Sequence, residues 1–167
     1  MAERHVVHRF DCSAETYWRA IFLADEFNRT LFLERLGFQR WEVVQLVEAG
    51  QQLTRELEAE PPVGKVPGPL KRVLASGTGY REKGTLDFAA SRYSFSAVTH
   101  SLADRLSIDG SIQVTDVDGG CERSCSFTAK ARLFGVGGLL EQSVLDGMAK
   151  SYDKSAEFTK DWLARKI

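Results

Sequence analysis

The feature that most limits this chain is a change of period. From Phe38 to Leu133 polar and apolar residues alternate, and from Gly138 onward the pattern is that of one long helix. Alternation puts successive side chains on opposite faces of a strand. In "DRLSIDGSIQVTDV", Leu106, Ile108, Ile112 and Val114 share one face, and Ser107, Asp109, Ser111 and Gln113 the other. In "CERSCSFTAKARLF", Cys125, Phe127, Ala129, Ala131 and Leu133 oppose Ser124, Ser126, Thr128, Lys130 and Arg132. This patterning marks an antiparallel sheet with one covered and one wet face.

The remaining elements follow from local signals. Residues 3–11 read as a first strand. In "DCSAETYWRAIFLADEFNRTLFLERLGF", Asp11 or Ser13 caps a helix whose apolar stripe is Tyr17, Ala20, Ile21 and Ala24. A second short helix spans Asp25 to Leu36, with Phe27, Leu31 and Leu33 inward and Gly37 as its stop. "FQRWEVVQLVEAGQQLTRELEAE" reads as a hairpin turning at Ala49–Gln51. Its second strand sets Leu53, Arg55, Leu57 and Ala59 against Thr54, Glu56, Glu58 and Glu60, the latter face solvated. "PPVGKVPGPLKRVLAS" holds all four prolines and reads as a loop with a short helix near Pro69–Leu74. Two more strands, "TGYREKGTLDF" and "RYSFSAVTH", turn near Ala89–Ser91. Asp118-Gly119-Gly120 is a hairpin turn. The last element is a helix of about 28 residues, ~42 Å long, with Leu145, Met148, Tyr152, Ala156, Thr159 and Leu163 in one stripe. Gly147, Ser151 and Ser155 form a row of small residues beside it.

The order is strand, two short helices, six strands, long helix. The sheet's covered face needs a partner, and the long helix supplies an apolar stripe of suitable length. The expected fold is α+β: a curved seven-stranded antiparallel sheet wrapped around the C-terminal helix, one domain over residues 1–167. This order resembles the START-like, helix-grip (SRPBCC) superfamily, which also holds pollen-allergen and polyketide-cyclase proteins. The first helical stretch, "PGPLKRVL" and "KARLFGVGGLLEQSV" look like a bacterial family of uncharacterised START-like proteins. The first stretch is also similar to sterol-carrying START-like domains of eukaryotic membrane-contact proteins. The resemblance implies a hydrophobic cavity between helix and sheet that binds a lipid or another apolar small molecule. It supplies no catalytic residues.

Composition narrows the partners. A formal net charge of -1, from 22 basic and 23 acidic residues, argues against nucleic acid. There is no apolar run long enough for a membrane span and no signal-peptide core, so a cytoplasmic protein is expected. Cys12, Cys121 and Cys125 lack CxxC spacing and are expected to be reduced. His5 and His8 point to opposite strand faces, His100 lies in a loop near Asp104, and no metal spacing occurs, so neither metal nor cofactor is expected. GxSxG is absent.

The candidate site rests on charge where apolar residues belong. Arg55 shares a face with Leu53 and Leu57, Glu82 with Tyr80 and Leu86, and Arg123 with Cys125 and Phe127. Buried charges need partners, and Arg55 and Glu82 lie on adjacent strands. They read either as a polar anchor for a ligand within an apolar cavity, or as strand ends at the sheet rim or residues turned outward by a bulge that flips the face. Trp41, Tyr80, Tyr93, Phe95, Phe127, Met148 and Tyr152 are candidate wall residues. Glu82 is also a candidate general acid in a cyclase- or hydratase-type reaction, and a filled core would instead make the protein an interaction module. "FGVGG", at Phe134–Gly138, lacks the Lys-Ser/Thr of a phosphate loop and the spacing of GxGxxG. It reads as a turn, or as a hinge at the cavity mouth. With "PGPLKRVL" it forms a candidate rim for transient membrane contact. The sequence leaves the oligomeric state open.

Overall fold

The computed structural model describes residues 1–62, 64, 66–75 and 77–165. Val63, Lys65 and Ser76 of the proline-rich loop, and the last two residues of the predicted helix, lie outside the described residues. The strands are β1 (Ala2–Phe10), β2 (Arg40–Ala49), β3 (Gln52–Glu60), β4 (Tyr80–Asp87), β5 (Arg92–Thr99), β6 (Leu106–Val117) and β7 (Gly120–Ala131). They form one antiparallel sheet in the order β1-β7-β6-β5-β4-β3-β2. Only β1 leaves chain order, pairing with β7 so that Val6 stands opposite Cys125. The helices are α1 (Ala14–Thr16), α2 (Asp25–Arg29), α3 (Gly68–Lys71) and α4 (Gly137–Arg165). The class is α+β, with a long C-terminal helix gripped by the sheet and short helices after β1.

The short helices begin as the sequence suggests. The Ser13 hydroxyl caps α1 by accepting the Thr16 N–H at 3.1 Å. The Ala14 N–H donates to Asp116 Oδ1 at 2.8 Å, fastening α1 to the end of β6. Both helices then widen: Tyr17–Phe22 after α1 and Thr30–Arg35 after α2 are π-wound. The Leu23 N–H reaches the Trp18 carbonyl at 3.0 Å and the Leu36 N–H the Leu31 carbonyl at 2.8 Å. Wider winding shifts the buried stripe. Tyr17, Trp18 and Ile21 are buried while Ala20 is exposed, which corrects the stripe expected from ordinary α-helical spacing. Gly37 ends the second helix at φ +71°, a conformation only glycine adopts without strain.

The strand faces follow the alternation. Leu53, Arg55, Leu57 and Ala59 are buried, as are Leu106, Ile108, Ile112 and Val114. Glu58 departs from it: it sits on the outer face yet is covered, because Arg81 Nε donates to it at 2.6 Å and His100 stands 2.8 Å away. A one-residue bulge at Val44 shifts the β2–β3 register. Two glycines let aromatic rings lie flat on the inner face. A Cβ at Gly84 would strike the Tyr93 ring, and one at Gly110 the Phe95 ring.

The long helix α4 lies on the inner face but packs chiefly on β1 and β7, at one side of the sheet. Leu140, Leu145, Ala156 and Phe158 are its buried apolar residues. On the far side, Phe32 from the helical segment stacks on Trp41 of β2, ring centroids 5.0 Å apart. Between these two blocks the inner faces of β3, β4 and β5 are left without a helix over them.

Replacing Gly110 by Ala should force the Phe95 ring from its seat and cost about 1–3 kcal/mol in urea unfolding. Gly138→Ala, where nothing lies within 4 Å of the added atom, should cost nothing measurable. Equal midpoints for both variants would show that the ring does not depend on the missing side chain.

Candidate functional site

The uncovered strands face a cavity of about 460 Å³, bounded by α4 and the helical segments. It is open because α4 turns small residues toward it. Ser143, Gly147, Ser151 and Ser155, each four residues apart and therefore on one side of the helix, all line it. A Cβ at Gly147 would meet nothing within 4 Å. The opposite wall is apolar, with Phe27, Leu31, Phe32, Trp41, Leu57 and Ile108, and Pro61, Pro62 and Val66 belong to the loop at one end.

Of the candidate residues, Arg55, Tyr80, Glu82, Tyr93, Phe95, Met148 and Tyr152 line this cavity. Phe127 does not. It is buried behind the wall, with ring centroids 6.5 Å from Phe95 and 4.7 Å from Tyr152, because Tyr152 of α4 covers this part of β7. The rim and bulge readings of the inner charges fall away. Arg55 is 7% and Arg123 3% exposed, and both lie on regular strand pairing opposite Gly84 and Val114.

Arg55 and Glu82 form an ion pair across β3 and β4, Nη2 to Oε2 at 3.3 Å. The Tyr93 hydroxyl donates to the same Oε2 at 2.8 Å. The Arg55 guanidinium lies 4.3 Å over the Phe22 ring and 5.1 Å over the Tyr93 ring. Burial opposes the charge on Arg55, but Tyr93 and Glu82 outweigh it and hold the guanidinium protonated. Burial and the nearby Glu82 charge push the Tyr93 and Tyr80 hydroxyls well above their ordinary range, so both stay neutral donors.

Arg123 is held differently. Nη1 donates to the Tyr17 hydroxyl at 3.1 Å. Nη2 contacts His8 Nδ1 and the Tyr152 carbonyl at 3.1 Å each, and Ser155 Oγ at 3.2 Å. No carboxylate touches it among the described residues. A guanidinium can only donate, so His8 Nδ1 must accept. Its proton then sits on Nε2, which donates to Asp153 Oδ1 at 2.8 Å. Burial is the main reason the His8 pKa falls below its ordinary 6.5; the hydrogen bond to Asp153 opposes this and the Arg123 charge adds to it. Three buried side-chain atoms have no partner among the described residues: Arg55 Nε, Arg123 Nε and Thr99 Oγ1. All three belong to residues that line the cavity.

Other groups lie apart. His100 contacts Glu58 on the outer face, not Asp104. A shallower hollow of about 540 Å³ is edged by polar outer-face residues such as Gln45, Thr54, Glu56, Lys83 and Ser94, and reaches Arg55 and Phe95 where Gly84 and Gly110 thin the sheet. Among the described residues no three His, Cys, Asp or Glu side chains gather as a metal site. The three thiols are free, and burial pushes Cys121 up to about 12 and Cys125 up to about 11. At "FGVGG", Gly135 turns the chain at φ +79°, Phe134 is fully exposed, and Leu140 is buried, as is Leu70 of α3. No described helix is long and apolar enough to cross a membrane.

The family described as "Protein of unknown function (DUF2505)" matches residues 5–163. The chain belongs to that family. No curated protein matches the sequence. Among solved structures, the chain is similar to TTHA0849 from Thermus thermophilus at TM-score 0.64 and 16% identity, covering 96% of this chain and 95% of that one. It is similar to Ara h 8.0201 at TM-score 0.61 and 13% identity, covering 95% and 97%. It also matches the di-domain ARO/CYC BexL from the BE-7585A biosynthetic pathway at TM-score 0.61 and 15% identity, covering 96% of this chain and 46% of that one. At these identities the likeness shows the fold, and the fold is START-like.

Sequence reasoning missed Asn28, Lys150 and Lys154, which also line the cavity. Asn28, in α2, is buried while donating to the Phe22 and Ala24 carbonyls at 2.8 and 2.9 Å, which ties α2 back to the end of the preceding segment. Lys150 and Lys154 were legible: they flank the small-residue row on a helical projection of α4.

The His8 geometry predicts a pH effect. The unfolded chain takes up the His8 proton near 6.5 and the folded chain only at lower pH. Stability therefore falls as pH drops from about 6.5 toward 5, and rises again with pH. His8→Gln should remove that part of the slope in urea titrations from pH 7 to 5. An unchanged slope in the variant would mean that His8 does not titrate as its contacts require.

Proposed function

We propose that the protein binds, and transfers between sites, a hydrophobic small molecule or lipid held between the sheet and α4. The observation that carries this is the cavity itself. At about 460 Å³ it falls within the usual range for small-molecule sites, and a few polar groups punctuate an apolar wall. Burial of the ligand's apolar surface supplies the affinity, at roughly 25 cal/mol per Å² removed from water. Arg55, Glu82 and Tyr93 orient whatever polar group enters the wall beside them. The START-like fold supports the same reading.

A second reading uses the same cavity for catalysis of the cyclase or hydratase type, with Glu82 as acid or base. The Tyr93–Glu82 hydrogen bond within the wall and the likeness to an ARO/CYC protein favour it.

Ser151→Phe tests the cavity. The phenyl ring would occupy the space that the small-residue row leaves, with little change in helix propensity. Titration with the neutral fluorophore 1-aminoanthracene should show saturable binding to the wild type and at least about a tenfold weaker response in the variant, the loss expected for about 1.4 kcal/mol. The midpoint of thermal unfolding should stay within a few degrees. Equal binding by both proteins would place the probe elsewhere. Once a bound molecule is identified, Glu82→Gln separates the two readings: a binder converts nothing in either form and holds the molecule more weakly in the variant, whereas an enzyme converts it in the wild type and stops doing so in the variant.

A further inference from the structure

The charges on the cavity wall are unbalanced. Five described residues that line it carry charge: Arg55, Arg123, Lys150 and Lys154 are cations, and Glu82 is the single anion. The Arg55–Glu82 ion pair cancels one of each. Three cations remain, on a chain whose formal net charge is -1. They gather along one stretch of α4. Lys150 and Lys154 stand one turn apart on it, and Arg123 donates to the Tyr152 carbonyl and to Ser155 Oγ of the same turn. Neither lysine forms an ion pair among the described residues. The Arg123 guanidinium meets only neutral acceptors, and reaches a carboxylate only through the His8 ring to Asp153.

A buried guanidinium without a carboxylate is costly in an empty protein. The cost shrinks if the occupant brings the missing charge. The two orphaned Nε–H groups, on Arg55 and Arg123, are donors, so the wall lacks acceptors rather than donors. We infer that the cavity's occupant is an anionic amphiphile, an apolar body bearing one carboxylate-like head group, and that the head group rests against the Arg123–Lys150–Lys154 stretch. This inference rests on the binding reading above and specifies its ligand class. The tail extends toward Phe95, Ile108 and Leu57, where the wall carries no free charge.

Displacement of bound 1-aminoanthracene by decanoate and by 1-decanol, chains of equal length that differ in the head group, tests the inference on the full chain. Decanoate should bind about 10–100-fold more tightly at low salt, the ratio expected for a charge-assisted contact, and the ratio should shrink with added salt. The double variant Lys150→Gln, Lys154→Gln changes exposed side chains only and should bring the ratio close to one. Arg123→Met should do the same where it folds. Equal affinities in the wild type, or a ratio unchanged in the double variant, would overturn the inference while leaving the cavity reading intact. Failure of 1-aminoanthracene and both decyl compounds to bind the folded protein would overturn the cavity reading, and this inference with it.

Discussion

The structure depends on how one helix meets one curved sheet. A sheet twists, so a straight helix laid on it touches only part of its surface. Here α4 buries Leu140, Leu145 and Phe158 in the core, and between Leu140 and Phe158 it presents a row of small residues to the gap. The volume left over β3 to β5 is therefore a property of residue size at positions 143, 147, 151 and 155. Larger residues there would close it. The short helices complete the enclosure, and their π-wound turns bring Tyr17, Trp18 and Ile21 inward together.

Charge is the second constraint. A purely apolar gap would need no guanidinium, yet two are built into its wall and tied there by specific partners. Arg55 is neutralised by Glu82 and lies against the Phe22 and Tyr93 rings. Arg123 is held by a phenol, an imidazole, a carbonyl and a serine hydroxyl. The first arrangement fixes a neutral, oriented polar spot. The second leaves a positive one, relayed through His8 to the surface. Gly84 and Gly110 belong to the same design, because missing side chains are what let the Tyr93 and Phe95 rings lie where they do.

Much of this is legible in the residue pattern alone. Period-two alternation names the inner faces of β3, β6 and β7 residue by residue, and places Arg55 beside Glu82, because a strand's side-chain period admits no ambiguity once the sheet has one wet face. The small row on α4 is visible as well. The losses have physical causes. Trp18 escapes the pattern because π-winding changes which residues share a helical side, and Asn28 because a polar side chain announces no burial until its carbonyl partners are in place. Glu58 is assigned to solvent because alternation reports the face and not the cover that Arg81 and His100 provide. Phe127 is placed on the wall because alternation cannot say which inner-face residues lie under the helix and which lie beside it. That depends on where α4 docks, a matter of packing between distant parts of the chain.

Native mass spectrometry of the protein purified from its own host, followed by extraction and negative-ion analysis of what it carries, bears most directly on the central claim. A reproducible mass shift from one amphiphilic molecule of acidic head group, absent from Ser151→Phe prepared in the same way, is the predicted result. A protein that arrives at its bare mass, and stays bare after incubation with host extract, would contradict it.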